Sequence, residues 1–329
     1  MTEERFLVTG ALGCIGAWVV RNLVHEGVPT AIFDHGSRMT RLKLILTPGE
    51  LRKVRVFQGD IANMDEVIRS CQEFGVTNII HLAALQLPFC QADPPRGALV
   101  NVVGTVNVFE TAKRLGLERV VYASSAAVYG ASEDYPEGPL EHDAPTKPRS
   151  HYGVYKQCNE GTAHVYWADD GISSIGLRPD VVYGVGRDQG MTSSPTKAML
   201  AAAMGVPYRI SYGGRLCFQY ADDVAKIFIR SSRAAFDGAE VFNVGGETVS
   251  MEQIVACIER ARPDMKGAYT YDPAPLPFPE EMDNSALKRT LGDLTFTPLE
   301  QGVSETIELF SQAIANGKLS EQELQLMFQ

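Results

Sequence analysis

Short apolar runs, turns and stretches of helical period follow one another through the first half of the chain. Phe6-Leu7-Val8 runs into a glycine turn, and Ile15-Gly16-Ala17-Trp18-Val19-Val20 continues with helical periodicity, predicting strand, tight turn and helix. Thr30 to Phe33 reads as a second strand ending at Asp34, Val54 to Phe57 as a third before Gly59-Asp60, Asn78 to Leu82 as a fourth and Arg119 to Ala123 as a fifth. Helical stretches lie between them, at Asp65 to Phe74 and Val100 to Leu115. A further helix from about Tyr152 to Trp167 precedes a sixth strand at Ile172 to Arg178. Alternation at this spacing predicts an α/β fold, a doubly wound parallel sheet with helices on both faces. Beyond Pro179 the alternation becomes irregular, which predicts a smaller C-terminal substrate domain. The expected division is 1–178 with a returning segment near 214–240, and 179–329 as the second unit. Four prolines between Tyr271 and Pro279 predict a semi-rigid connector there.

The glycines sharpen this picture. Gly10, Gly13 and Gly16 stand where a strand turns into a helix: the first permits the turn, the second lets a pyrophosphate approach the backbone, and the third packs helix on strand. The first helical turn, from Cys14 and Ile15, then presents free amides to phosphate. Asp34 ends the second strand 24 residues after Gly10, where a carboxylate accepts from both ribose hydroxyls. It would repel a 2′-phosphate, so NAD is expected over NADP, with Arg38 as a counterweight. Asp60-Ile61, after the third strand, is placed to meet the adenine.

Tyr152 and Lys156 stand one helical turn apart on the same face. A phenol of pKa near ~10 is a poor base at neutral pH, and a nearby ammonium would lower it. Tyr152 could then remove a hydroxyl proton while Lys156 holds the nicotinamide ribose. Ser124-Ser125 follow the fifth strand, at the carboxyl edge where open α/β sheets bind ligands.

Charge and composition narrow the partners. The 329 residues are 45% hydrophobic, ample for a large core. A formal net charge of −10 argues against nucleic acid or an anionic membrane as partner. Met1-Thr2-Glu3-Glu4-Arg5 leads directly into the first strand without a signal-peptide core, and no apolar run is long enough to span a bilayer. The six scattered cysteines (Cys14, Cys71, Cys90, Cys158, Cys217, Cys257) show neither disulfide nor metal spacing; no metal is expected, and a reducing cytoplasm is.

The patterns Thr9 to Gly16 (TGxxGxxG), His81-Leu82-Ala83-Ala84, Asn101 with Gly104-Thr105, Ser124 to Gly130 and Tyr152-x-x-x-Lys156 occur in this order. Arg178-Pro179, Val182-Tyr183-Gly184 and Asp222-Asp223-Val224-Ala225 continue the series. With them the chain resembles, over essentially its whole length, the extended short-chain dehydrogenases/reductases of the NAD-dependent epimerase/dehydratase type. The resemblance implies a Rossmann-type fold, bound NAD and a mechanism through Ser125, Tyr152 and Lys156. It also implies cofactor contacts at Leu82, Ala83, Ala84, Asn101, Pro179 and Val182, beside the glycine turn, Asp34, Asp60 and Ile61. A homodimer built on the helices at Val100–Leu115 and Tyr152–Trp167 is a further implication.

Within that family, dehydratases carry an Asp-Glu pair after the catalytic hydroxyl, where this chain has Ala126-Ala127. UDP-sugar epimerases usually place an Asn where Val181 stands and an Arg-Asp pair in the stretch Leu216 to Tyr220, leaving Arg215 as the nearest cation. The expectation is therefore an oxidoreductase moving a hydride at a secondary alcohol or ketone of a non-nucleotide sugar, sugar acid or polyol. The pocket candidates are Ser124, Ser125, Ala126, Arg187, Ser193 in the stretch Met191 to Ser194, and Arg215. An NAD-retaining nucleotide-sugar epimerase is the alternative, and a non-catalytic NAD(P)-sensing regulator the remote one.

Overall fold

Strand β1, Phe6–Thr9, is fully buried and lies near the middle of a seven-stranded sheet. The computed structural model describes residues 3–328. The strands in chain order are β1, β2 (Thr30–Asp34), β3 (Arg55–Gln58), β4 (Asn78–His81), β5 (Arg119–Ala123), β6 (Ser173–Arg178), β7 (Val181–Tyr183), β8 (Tyr208–Ile210), β9 (Arg215–Tyr220), β10 (Ala239–Asn243), β11 (Glu247–Ser250) and β12 (Tyr269–Tyr271). The large sheet runs β10-β6-β5-β4-β1-β2-β3, all parallel. Its inner strands are apolar on both faces because helices cover both sides. The edge strand β3 is polar and exposed, as an unpaired edge in water requires.

The registers of β1 place Thr9 beside Phe33 of β2 and His81 of β4. The chain runs outward from β1 through β2 and β3 and then crosses to β4 on the other side of β1, so a crevice opens above the carboxyl ends of β1 and β4. Helices Cys14–His25, Met64–Phe74, Gly104–Leu115, His151–Asp170 and Ala221–Arg233 flank the sheet. The third strand is displaced by one residue from its expected place, and the fourth ends at His81 rather than Leu82. The helix expected from Val100 begins earlier, at Pro94, and widens into a π turn at Leu99–Val103 before Gly104.

The second unit holds two small sheets, β11-β9-β7 and β12-β8, with helices Ser194–Met204, Met251–Ala261 and Leu299–Ala315. β9 pairs with β7 and β11, and helix Ala221–Arg233 and β10 then pack on the large sheet. One apolar cluster runs through both units, from Phe6 and Trp18 to Tyr183, Tyr220 and Phe310. Trp18 Nε1 donates to Val185 O at 2.9 Å, tying the first helix to the segment after β7. Between Tyr271 and Asn284 the chain forms neither helix nor strand.

Candidate active site

The glycine turn is shaped by close approach. Gly10 has φ +67°, and a Cβ on it would lie 2.5 Å from Ala83 N. A Cβ on Gly16 would fall 2.6 Å from Gly10 O, so helix and turn touch through backbone alone. Gly13 begins helix Cys14–His25 with no side-chain cap and no acidic residue in the first turn. The amides of Cys14, Ile15 and Gly16 therefore keep their capacity for an anion. Asp34 is aimed by two amides, Leu12 N to Oδ2 and Gly36 N to Oδ1, each 3.0 Å. A backbone cradle for phosphates beside an oriented carboxylate fits a dinucleotide with a free ribose diol. Arg38 is exposed, whereas Arg41 is bound to Asp188 and donates to Leu12 O at 2.7 Å, closing the outer side of the turn.

Below the turn, Thr9, His81 and Thr105 form a buried chain. Thr105 Oγ1 donates to Asn101 O (2.7 Å), so it accepts from His81 Nε2 (3.1 Å), which leaves Nδ1 to accept from Thr9 Oγ1 at 2.7 Å. Thr9 Oγ1 in turn accepts from Leu82 N and Ala83 N, fixing the Leu82-Ala83-Ala84 segment beside Gly10. Burial holds the His81 ring neutral, its pKa pulled down to about 3.

Asn101 fastens the loop after β4. It is buried, with Oδ1 accepting from Leu85 N at 2.7 Å and Nδ2 donating to Leu85 O at 2.9 Å and to Cys90 Sγ at 3.3 Å. Asn101 lies in the π turn Leu99–Val103. Asp60 accepts from Ala62 N and Arg96 Nη2, which hold its carboxyl below the usual carboxylate range against burial. Ile61 is packed against Gly104, and its carbonyl accepts from Asn107 Nδ2. Val182 lies in fully buried β7 and presents almost no surface to the crevice. Pro179 O accepts from Ala126 N at 3.0 Å, joining the two turns above β5 and β6.

The three expected catalytic groups converge at that edge. Ser125 Oγ accepts from Ala127 N at 3.1 Å and lies on the Tyr152 side of the turn. Lys156 is buried, its Nζ donates to Ala123 O at 2.5 Å and it lies 5.7 Å from the Tyr152 ring centroid. Burial lowers the Lys156 pKa to about 8, opposed by charge at Cys90 and Glu160. Burial raises the Tyr152 phenol, opposed by the Ser125 hydroxyl and by the Arg187 guanidinium. Arg187, on the loop after β7, was expected only as a pocket residue; its effect on Tyr152 has no signature in sequence spacing.

Three expected pocket residues are engaged by partners within the protein. Ser124 is buried and donates to Glu160, which is held by Arg178 through Nε (2.8 Å) and Nη2 (2.7 Å). Adjacent residues of an extended chain point opposite ways, so Ser125 faces the crevice and Ser124 the interior. Ser193 is buried with its hydroxyl donated to Gly190 O at 2.8 Å. Arg215 lies on the exterior, 3.4 Å from Glu280 and 3.6 Å from Glu281. Ala126 contributes its backbone to the turn that Pro179 fastens. Next to this turn is a cavity of about 760 Å³, lined by Ala127, Tyr129, His151 and Val154 on one side and by Pro277 and Phe278 of the proline-rich connector on the other.

The model of the NAD dependent epimerase/dehydratase family matches residues 6–245. UDP-glucose 4-epimerase of Mycolicibacterium smegmatis is 30% identical over 315 residues, 93% of this chain and 98% of that protein. UDP-glucuronate 4-epimerase of Thermodesulfobacterium geofontis is 29% identical over 272 residues, 78% of this chain and 80% of that one. Among solved structures, Thermus thermophilus UDP-glucose 4-epimerase in complex with NAD is similar at TM-score 0.79 and 26% identity, covering 94% of this chain and 99% of that one. L-threonine dehydrogenase from Clostridium difficile shares the fold at TM-score 0.82 and 22% identity, covering 95% and 99%. With a family match across most of its length, on a seven-stranded parallel sheet with a dinucleotide cradle, the chain belongs to the NAD-dependent epimerase/dehydratase family, the enzymes of extended short-chain dehydrogenase type that use NAD.

Proposed function

We propose that the protein is an NAD-dependent dehydrogenase that oxidises a secondary alcohol of a small, non-nucleotide polyhydroxy molecule to the ketone, with net release of NADH. Residues 1–178 with the returning segment supply the cofactor half, and 179–329 supply most of the substrate half. NAD, held by the glycine turn and Asp34, would supply the acceptor for the hydride of the carbinol carbon. Tyr152, as phenolate, removes the hydroxyl proton, and Ser125 holds the hydroxyl oxygen in line with it. Lys156, fixed by Ala123 O, keeps two N–H groups for the nicotinamide ribose and sustains the phenolate by charge.

The observation that carries the choice of substrate class is the fate of the positions expected to hold a diphosphate. Val181 and Leu216 are buried in the apolar core, and Arg215 is turned outward to Glu280 and Glu281. A diphosphate without positioned donors would lose the charge-assisted bonds that hold it. The overall similarity to a UDP-glucose 4-epimerase favours the second reading, an NAD-retaining epimerase. Assembly of Tyr152 and Lys156 at one edge weighs against a non-catalytic NAD sensor. NADH absorbance, followed while the protein and NAD meet sugars, sugar acids, polyols and UDP-sugars, tests the reading. Net NADH with a free polyhydroxy compound supports it; interconversion of a UDP-sugar without net NADH overturns it.

A homodimer accompanies this reading. Leu99 and Val103 are 46% and 40% exposed, and Val154 and Val165 on the neighbouring helix are 46% and 57% exposed. Two packed helices with aliphatic side chains in water match a surface completed by a second copy. Sedimentation of the wild-type chain should give a dimer, and Val103→Glu with Val165→Glu a monomer. Among the described residues no helix is long and apolar enough to cross a membrane. All six cysteines are free thiols, which supports a reducing compartment such as the cytoplasm.

A further inference from the structure

Three buried side-chain atoms around the crevice lack a partner among the described residues: Gln86 Oε1, Asp180 Oδ2 and Arg187 Nε. Buried polar atoms are almost always bonded, and unpaired ones near a reactive centre mark where a ligand supplies the missing bond. We propose that the substrate is a polyhydroxy acid, its carboxylate paired with the Arg187 guanidinium and a hydroxyl beyond the reacting carbon donating to Asp180. This inference rests on the dehydrogenase reading above and names the substrate class within it.

Arg187 has the properties of an anion site. Its backbone is fixed by a bond from its N–H to Gly184 O (3.0 Å), and its Nη2 donates to Thr192 Oγ1 at 2.9 Å. The acidic residue beside it does not neutralise it, because Asp188 is bonded to Arg41 by contacts of 2.6 to 3.1 Å. A half-buried guanidinium held in one orientation, with a free Nε–H, matches the geometry of a carboxylate. Gly190 brings Gln86 and Arg187 together: a Cβ there would lie 2.4 Å from Gln86 Oε1 and 3.3 Å from Arg187 Nη2. The unpaired Gln86 Oε1 is thus next to Arg187. The positive charge of Arg187 also reaches the Tyr152 and Tyr212 hydroxyls, so an anion held there lies close to the carbinol being oxidised.

Asp180 stands beside the Ser125-Ala126 turn. It follows Pro179, whose carbonyl is bonded to the Ser125-Ala126 turn, and its charge reaches Tyr212 as that of Arg187 does. Its Oδ2 has no partner among the described residues. Burial raises its pKa to about 7, a value suited to exchanging hydrogen bonds with hydroxyls.

Arg187 also acts on Cys14 at the glycine turn, so the cofactor pyrophosphate is the competing source of the anion. The experiment separates the two. Initial rates of NAD reduction are measured with gluconate, galactonate and threonate and with glucitol, galactitol and threitol, on the wild type and on Arg187→Met. NADH affinity is titrated for both proteins, and calorimetry measures binding of the acids to the enzyme–NADH complex. We expect the wild type to favour acids, and Arg187→Met to lower kcat/KM for acids by about 100-fold, with alditols changed by less than about 10-fold and NADH affinity by less than about 2-fold. Asp180→Asn should weaken gluconate more than lactate, which has no second hydroxyl. Equal use of acids and alditols by the wild type overturns the inference and leaves the dehydrogenase reading standing. Weaker NADH binding by Arg187→Met without loss of acid preference assigns Arg187 to the pyrophosphate and overturns it too. Acids that neither react with the protein nor bind the enzyme–NADH complex also overturn it. UDP-sugar interconversion without net NADH removes the underlying reading itself.

Discussion

Arg178 grips Glu160 through two hydrogen bonds, Nε to Oε1 at 2.8 Å and Nη2 to Oε2 at 2.7 Å, both side chains buried beneath the turn that carries Ser125. Arg178 also donates to Tyr129 Oη at 2.6 Å, and Ser124 donates to Glu160. The pair ties the end of β6 to helix His151–Asp170 and so sets the distance between the Ser125 turn and Tyr152.

Removing one partner leaves a buried charge with no counterpart. Arg178→Met should destabilise the fold by about 3–5 kcal/mol, measured by urea unfolding. The double variant Arg178→Met/Glu160→Leu should recover part of that loss. A loss in the double variant equal to the sum of the losses in Arg178→Met and Glu160→Leu alone would show that the pair contributes no coupling.

Tyr152→Phe deletes the proton acceptor and leaves the ring in place. Turnover should fall by about 10²–10⁴-fold, with NADH affinity unchanged by fluorescence titration. Comparable turnover in the variant would remove Tyr152 from the mechanism.

Asp34→Ala removes the carboxylate that Leu12 N and Gly36 N orient toward the ribose. NAD binding should weaken by about 10–100-fold, the worth of one or two charge-assisted hydrogen bonds. Unchanged affinity would count against the ribose role.

His81 is neutral in the fold, with its pKa lowered by burial to about 3 from 6.5. Between these values the unfolded chain binds the extra proton, so the contribution is complete above about pH 6.5 and is lost as pH falls toward 3. Stability from thermal unfolding should decline across that window, and His81→Gln should make the decline shallower. An identical pH profile in the variant would assign the acid sensitivity to other groups.

Much of the cofactor half was legible in the chain because its signals are local. The strand–turn–helix at Phe6 to Val20, the acid at the end of β2 and the one-turn spacing of Tyr152 and Lys156 each depend on residues close in sequence. The π turn at Leu99–Val103 was not legible, since nothing in a run of apolar residues and one Asn distinguishes i+4 from i+5 bonding.

The sequence by itself determined the order of elements, the phosphate cradle and the spacing of the phenol and ammonium, all consequences of backbone sterics and helical period. Only the tertiary structure decided which of Ser124 and Ser125 faces the crevice, that Arg187 and not Arg215 is the cation near Tyr152, and that Asn101 shapes a loop. These outcomes depend on where elements distant in the chain pack together, and contact between residues far apart in sequence carries no periodicity that a single chain displays.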